Sequence, residues 1–220
     1  MSPEGLYRLD GTGSGAHPTL VADVYAWSEE HPPKNAEDFV FVPGGYTYAM
    51  EPYGNGFLVT DAHHNRVLHV RADGDISVFV DFGANVVPTG LERLGPAVLV
   101  GQAGPVPHIP DTGRVVAVWR TGGPSAPLAS GAPLLVDVEV GPLLRMYGLA
   151  QGDWPYEGEP GKEGFPAAPN TGSLMVADLH GQFQTVVSGL DRPTTFEVIG
   201  DTAYVITITG KVLRISGLGR

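Results

Sequence analysis

Short apolar runs rich in Val, Ile and Leu alternate along the chain with turn residues: GFLVTD at 56–61, RVLHVR at 66–71, ISVFVD at 76–81, AVLVGQ at 97–102, RVVAVW at 114–119, SLMVAD at 173–178, AYVITI at 203–208 and KVLRIS at 211–216. Runs of this length, bounded by Gly, Pro, Asn and Asp, read as β-strands, and the brief gaps between several of them read as hairpin turns. None is long enough to span a bilayer as a helix, which takes roughly 20 apolar residues. Between the first strands and the regular pattern, WSEEHPPKNAEDF at 27–39 sets helix-favouring acids against Pro32-Pro33, and the expectation there is a loop with one turn of helix.

The runs repeat. PTGLERLGPAVLVG at 88–101 aligns without a gap on PTTFEVIGDTAYVI at 193–206, and YAMEPYGNGFLVT at 48–60 and VDVEVGPLLRMYG at 136–148 fall into the same frame. Glu51, Glu92, Glu139 and Glu197 then share one column, and Gly54, Gly95, Gly141 and Gly200 mark the turn that follows. A unit of roughly 40 to 50 residues built from short strands is the signature of a β-propeller. The expected fold class is therefore all-β, a β-propeller of four recognisable blades at 46–82, 86–129, 134–187 and 193–217, with four or five blades in the ring and one domain over the whole chain. The fourth unit shows only three strands. The expectation is that Thr19 to Tyr25 completes this last blade, since closure removes a free strand edge. The stretch Gly5 to Asp10 is then one strand too many, which a fifth strand, a homodimer that exchanges strands, or a longer natural chain would accommodate.

With 31 Gly and 20 Pro against 42% hydrophobic residues, the 220-residue chain reads as turn-dense β structure and not as disorder. Twenty-four acids against 13 Lys and Arg give a net charge of −11, which opposes nucleic acid and anionic membranes as partners because no basic stripe is present. Cys is absent, so disulfides, thiolate nucleophiles and Cys-ligated zinc drop out. The N-terminal MSPEGLYRLD lacks the basic and apolar regions of a signal peptide, and a cytoplasmic location is favoured.

Candidate chemistry gathers in the loops between second and third strands. These are short in the first and fourth units but long in the second (103–112) and third (152–171), and in propeller order all of them open on one face. Loops on a rigid scaffold carry function more often than strands do. The catalytic candidates are His63 or His64 as acid or base, oriented by Asp61 or Asp153. Tyr48, Gln102, His108, Gln151, Trp154 and Tyr156 are the candidate ligand-binding groups for a small polar or aromatic molecule. Against these stand plainer readings: His63-His64 as an exposed turn, and Trp154 to Tyr156 as the packing anchor of a Pro-rich loop. The glutamate column has two readings as well. Four convergent carboxylates suit Ca²⁺ or another hard divalent cation. Equally, each Glu can accept backbone N–H bonds from the neighbouring blade, and repetition in every unit favours this structural role.

The segments NRVLHVRADG, VPTGLERLGPAVLVGQAG, DVEVGPLLRMYGLAQGD, NTGSLMVADLHGQ and RPTTFEVIGDTAYVITITGKVLRI resemble the ScyD/ScyE family of β-propellers, within the wider NHL and gluconolactonase-like group. The resemblance covers about residues 46 to 217. It implies a propeller, with an additional N-terminal blade in most members, and carries no defined catalytic set. Two functions are expected from these observations: a propeller that binds a small molecule of secondary metabolism, with catalysis on it left open, or a non-catalytic propeller whose acidic face docks a partner protein.

Overall fold

In the computed structural model, which describes residues 4–121 and 123–219, each apolar run is a strand and the strands form small antiparallel sheets. Strands β1 (Gly5–Asp10) and β2 (His17–Asp23) pair as a hairpin, followed by helix α1 (Val24–Glu30). The first four-stranded sheet holds β3 (Thr47–Tyr53), β4 (Gly56–Asp61), β5 (Arg66–Arg71) and β6 (Ile76–Asp81) in sequence order. The second holds β7 (Pro88–Leu94), β8 (Ala97–Gln102), β9 (Gly113–Val118) and β10 (Ala129–Ala132). The third holds β11 (Leu135–Val140), β12 (Met146–Ala150), β13 (Gly172–Ala177) and β14 (Phe183–Leu190). A three-stranded sheet follows, of β15 (Pro193–Ile199), β16 (Thr202–Thr207) and β17 (Val212–Ser216).

The period of two along each strand builds the packing between sheets. On β8, Val98 and Val100 face the first sheet, where they pack with Leu58 and Val67, while Leu99 faces the third sheet and packs with Leu135 and Val138. Strand β9 repeats the division, with Val116 and Val118 on one side and Val115 and Ala117 on the other. Tyr147 and Leu149 of β12 then meet Phe196, Ala203 and Val205 of the last sheet. A sheet buried on both faces needs apolar residues at nearly every position, which explains the unbroken AVLV and RVVAV runs.

The innermost strands β3, β7, β11 and β15 run side by side around a common axis. Thr89 donates its hydroxyl to the Leu135 carbonyl at 3.0 Å, Thr195 donates to Asp137 at 2.6 Å, and Tyr48 donates to the Thr194 carbonyl at 2.9 Å, so the last sheet is linked back to the first. At three of the inner hairpins only the first central residue has positive φ: Gly54 (58°), Gly95 (59°) and Gly200 (64°). That is the glycine-first turn whose twist matches the flanking strands.

The N-terminus differs from expectation in two ways. Strand β2 pairs with β1 and not with β17, so the last sheet keeps three strands. The physical reason is local: the turn over residues 11–16 lets the two strands close on each other. Leu6 and Ala22 of the hairpin, with Val24 at the start of α1, bury against Val59, Leu68 and Val70 of the first sheet. Val24 and Tyr25 are also the first helical residues, because Asp23 caps α1 by accepting the Ala26 N–H at 2.9 Å. Among the described residues, no helix is long and apolar enough to cross a membrane.

Candidate functional site

Successive positions of the innermost strands approach the axis in register, and the first of them form the floor of a cavity. Tyr48, Thr89, Val136 and Thr194 occupy one column of the repeat, and all four line a cavity of about 350 Å³. The two long insertions complete its walls, one contributing Val106 and His108 and the other Glu163, Phe165 and Pro166, with His63 and Tyr46 from the first sheet. Both insertions therefore stand at one pole, and the volume lies in the range of small-molecule sites.

The two adjacent histidines part company. His63 lines the cavity, with Nδ1 3.3 Å from the Val40 carbonyl and its ring edge-on to Tyr46. His64 turns inward and is 0% exposed. Its Nε2 lies 2.7 Å from the Val42 carbonyl, its Nδ1 lies 3.1 Å from Asp61, and Phe41 stacks on the ring. Arg66 Nη2 also lies 2.9 Å from Nδ1, so a proton on Nε2 donated to the Val42 carbonyl and a lone pair on Nδ1 facing Arg66 tie the imidazole down. Asp61, 1% exposed, also receives Arg66 Nε at 2.9 Å, the Ser28 hydroxyl at 3.0 Å and the Tyr46 N–H at 3.2 Å. Burial alone would raise this carboxyl, but hydrogen bonding and charge from His64 and Arg66 outweigh it and hold Asp61 below the ordinary value. Arg66 in turn donates to the His31 carbonyl at 2.7 Å and lies over the Trp27 ring. Asp61 and His64 are thus drawn together with Arg66 behind the cavity wall, and His63 stands apart from both.

His108 lies in the cavity wall against Trp154, their rings edge to face at 5.7 Å. Burial first, and then the proximity of His63, lowers its imidazole to about 4, so the ring is neutral at ordinary pH. Gln151 lines the cavity while its Oε1 accepts the Ala167 N–H at 2.9 Å, which anchors the third-sheet insertion. Trp154 donates its indole N–H to the Phe165 carbonyl at 3.1 Å, and Trp154, Tyr156 and Phe165 form a run of edge-to-face rings with Lys162 over the last two. Trp154 and Tyr156 therefore shape the loop that presents Phe165 and Glu163. Gln102, 1% exposed, accepts Arg114 Nε at 2.7 Å within the second sheet. Asp153 is exposed and faces a smaller recess beside His108 and Trp154. Tyr48 lines the cavity, but its hydroxyl is committed to Thr194, and burial pushes the phenol up, with the Asp137 charge adding to the effect.

Tyr46, Phe165 and Glu163 were not among the sequence candidates. Tyr46 had a readable signal: Tyr46, Val87 and Leu134 share a column two residues before the cavity floor, and all three line the cavity. Phe165 and Glu163 had none, since their places depend on how an irregular loop folds.

Three residues beyond the floor column, about 10 Å further along strands that rise roughly 3.3 Å per residue, come Glu51, Glu92, Glu139 and Glu197. They approach one another at the other end of the axis. Burial is the main cause that raises Glu51, Glu92 and Glu139, and mutual repulsion adds to it; Glu139 is pushed up to about 9. Glu92 also accepts backbone N–H bonds from Arg93 and from Val140 of the next sheet, the interblade contact of the structural reading. Asp137, further up β11, is raised by burial to about 6 despite hydrogen bonds from Thr195, Phe196 and Val138. Among the described residues, no three His, Asp or Glu side chains are grouped as metal ligands.

No protein-family model matches the sequence, and no curated protein matches it. Solved structures do. A gluconolactonase from Xanthomonas campestris, described as important in glucose secondary metabolic pathways, aligns with a TM-score of 0.55 at 16% identity, over 78% of this chain and 58% of its own. A structural-genomics protein assigned to the gluconolactonases aligns at 0.55 with 13% identity, over 84% of this chain and 70% of its own. A streptogramin B lyase aligns at 0.49 with 11% identity, over 80% of this chain and 56% of its own. The chain thus spans little more than half the length of the first and last of these. Together with the antiparallel sheets around one axis, the two gluconolactonase likenesses make the fold a β-propeller.

Proposed function

We propose that this propeller binds a small molecule in the cavity at its loop-rich pole. The carrying observation is that cavity of about 350 Å³, in which the inner-strand floor and both long insertions converge. Its walls combine apolar surface from Val87, Val136, Phe165 and Ile208 with a few polar groups, His63, His108, Gln151 and Glu163, a composition that suits a compact ring-bearing ligand with one or two hydroxyl or carbonyl groups. His63 and His108 are the groups placed to exchange a proton with such a ligand. Asp61, His64, Gln102, Trp154 and Tyr156 serve as the frame behind them, and Asp153 borders the adjoining recess. The resemblance to the ScyD/ScyE propellers and the likeness to the gluconolactonase structures support a ligand from secondary metabolism.

The test is a panel of small hydroxylated aromatics and sugar lactones, read by thermal shift and by native mass spectrometry on the full chain. At least one compound is expected to raise Tm, with binding weakened at least tenfold in Phe165→Ala and in the double variant His63→Ala/His108→Ala. A ligand that binds all three proteins equally would place the site elsewhere, and a panel with no binder would remove the reading.

A further inference from the structure

The opposite pole carries a second surface. There the first-to-second-strand turns emerge, and the third sheet breaks the pattern of the others: in place of Gly54-Asn55, Gly95-Pro96 and Gly200-Asp201 it has Pro142-Leu143-Leu144. Both leucines have positive φ, 59° and 57°, a region that branched side chains seldom adopt. They stand 82% and 81% exposed, beside Ile199 at 64% and Leu94 at 42% on the flanking turns. These turns adjoin: a Cβ at Gly219 would lie 3.7 Å from Pro142 and 4.0 Å from Asp201, and one at Gly141 would lie 3.3 Å from Val198. Single exposed leucines need no explanation, but apolar side chains gathered on neighbouring turns mark an interaction surface.

The same pole holds the glutamate column. Glu51, Glu92 and Glu139 are half-buried and Glu197 is exposed, and the Arg93 charge partly counters the burial that raises Glu51. A rim of exposed Leu and Ile side chains, broken by the exposed Arg93 and Arg145, surrounds the carboxylates, and what fits it is a side chain that brings positive charge to the axis between aliphatic neighbours that cover the leucines. A second copy of this chain, with a net charge of −11, lacks that complementarity. We infer that this pole is a docking surface for a protein segment that presents a Lys or Arg between aliphatic residues, with the cation directed at Glu197, the exposed member of the column, and at Glu92, and the aliphatic groups seated on Leu143, Leu144 and Ile199. The surface lies at the far end of the axis from the ligand cavity and acts independently of it.

Fluorescence anisotropy tests this with the full chain and labelled twelve-residue peptides that carry one central Lys or Arg flanked by Leu, Ile or Met, matched by peptides with a central Glu. The basic set is expected to bind saturably with Kd of about 10–100 μM. Binding should fall at least tenfold in Leu143→Ser/Leu144→Ser and in Glu197→Gln, and should be unchanged in Phe165→Ala. Circular dichroism melts confirm that the variants are folded. Leu143→Lys/Leu144→Lys provides a second check, since it repels the basic peptide whatever its effect on packing. Equal binding of the acidic peptides, no saturable binding by any basic peptide, or binding indifferent to the leucines would overturn the inference. So would leucine-dependent attachment to phosphatidylcholine vesicles without peptide binding, or concentration-dependent self-association that the leucine variants abolish.

Discussion

Arg66 shows how much one side chain in this fold can carry. Its guanidinium reaches Asp61, the Ser28 hydroxyl and the His31 carbonyl, so it ties the first sheet to α1 and to the loop after it. Removing it strands a buried carboxylate, and Arg66→Met is expected to cost about 3–5 kcal/mol in urea unfolding, whereas the double variant with Asp61→Asn should cost less because no charge is left behind. His63, at the edge of the cavity, should by contrast change stability by no more than about 0.5 kcal/mol when replaced by Ala. The pH dependence follows the same pair. The folded-state value of Asp61 is lowered from 3.8, so the unfolded chain binds the proton more tightly. The pair's stabilisation is therefore fully present above pH 3.8 and is lost as pH falls through the lower folded value. Melts of the native chain and of Asp61→Asn should converge between neutral pH and pH 2; a constant gap would show that the ion pair contributes nothing.

At the scale of the element, glycine positions separate backbone cost from packing cost. Gly95 has φ of 59° with open space where a Cβ would point, so Gly95→Ala should cost only the left-handed backbone, about 1 kcal/mol. Gly74, between β5 and β6, has φ of 93° and would place a Cβ 2.6 Å from the Val21 carbonyl oxygen of β2. Gly74→Ala should therefore lower Tm further than Gly95→Ala, because the β1–β2 hairpin must shift; equal losses would mean that the hairpin yields freely. This hairpin also marks where sequence pattern stops being informative. The strands, the glycine turns and the glutamate column were legible because period-two alternation and the need for positive φ act within a few residues. The partner of β2 was not legible, since an exposed alternating strand matches the edge of β17 as well as it matches β1. Likewise the pairing of Asp61 with Arg66 spans five residues, yet Ser28 of the short α1 and Val42 of the irregular segment after it, which complete the network, belong to no repeat. The floor of the cavity followed from the repeat, while Phe165 and Glu163 depend on loop packing that no period records.

For the whole molecule, the cost of drawing four parallel inner strands together falls on the glutamate column. Glu139 faces Glu92, Glu197, Asp137 and Glu51; the Arg93 charge offsets part of the repulsion at Glu51, and backbone N–H bonds from Val140 and Arg93 offset part of it at Glu92. Its folded-state value of about 9 against 4.5 means that the folded protein holds a proton the unfolded chain has released. Stability contributed at this site therefore falls as pH rises through 4.5 and goes on falling until about 9, above which both states are ionised. Asp137 adds a narrower loss between 3.8 and about 6. Glu139→Gln keeps the shape of the side chain and removes its titration. The variant should melt with the native protein near pH 4 and above it at pH 8, by at least about 2–4 °C, the shift that ~1 kcal/mol produces in a domain of this size. Added salt should narrow the difference by screening the outer carboxylates. Should Glu139→Gln instead melt lower at pH 8, the side chain would be an ionised acceptor that holds neighbouring blades together, and the ring would gain stability from its carboxylates where repulsion predicts a loss.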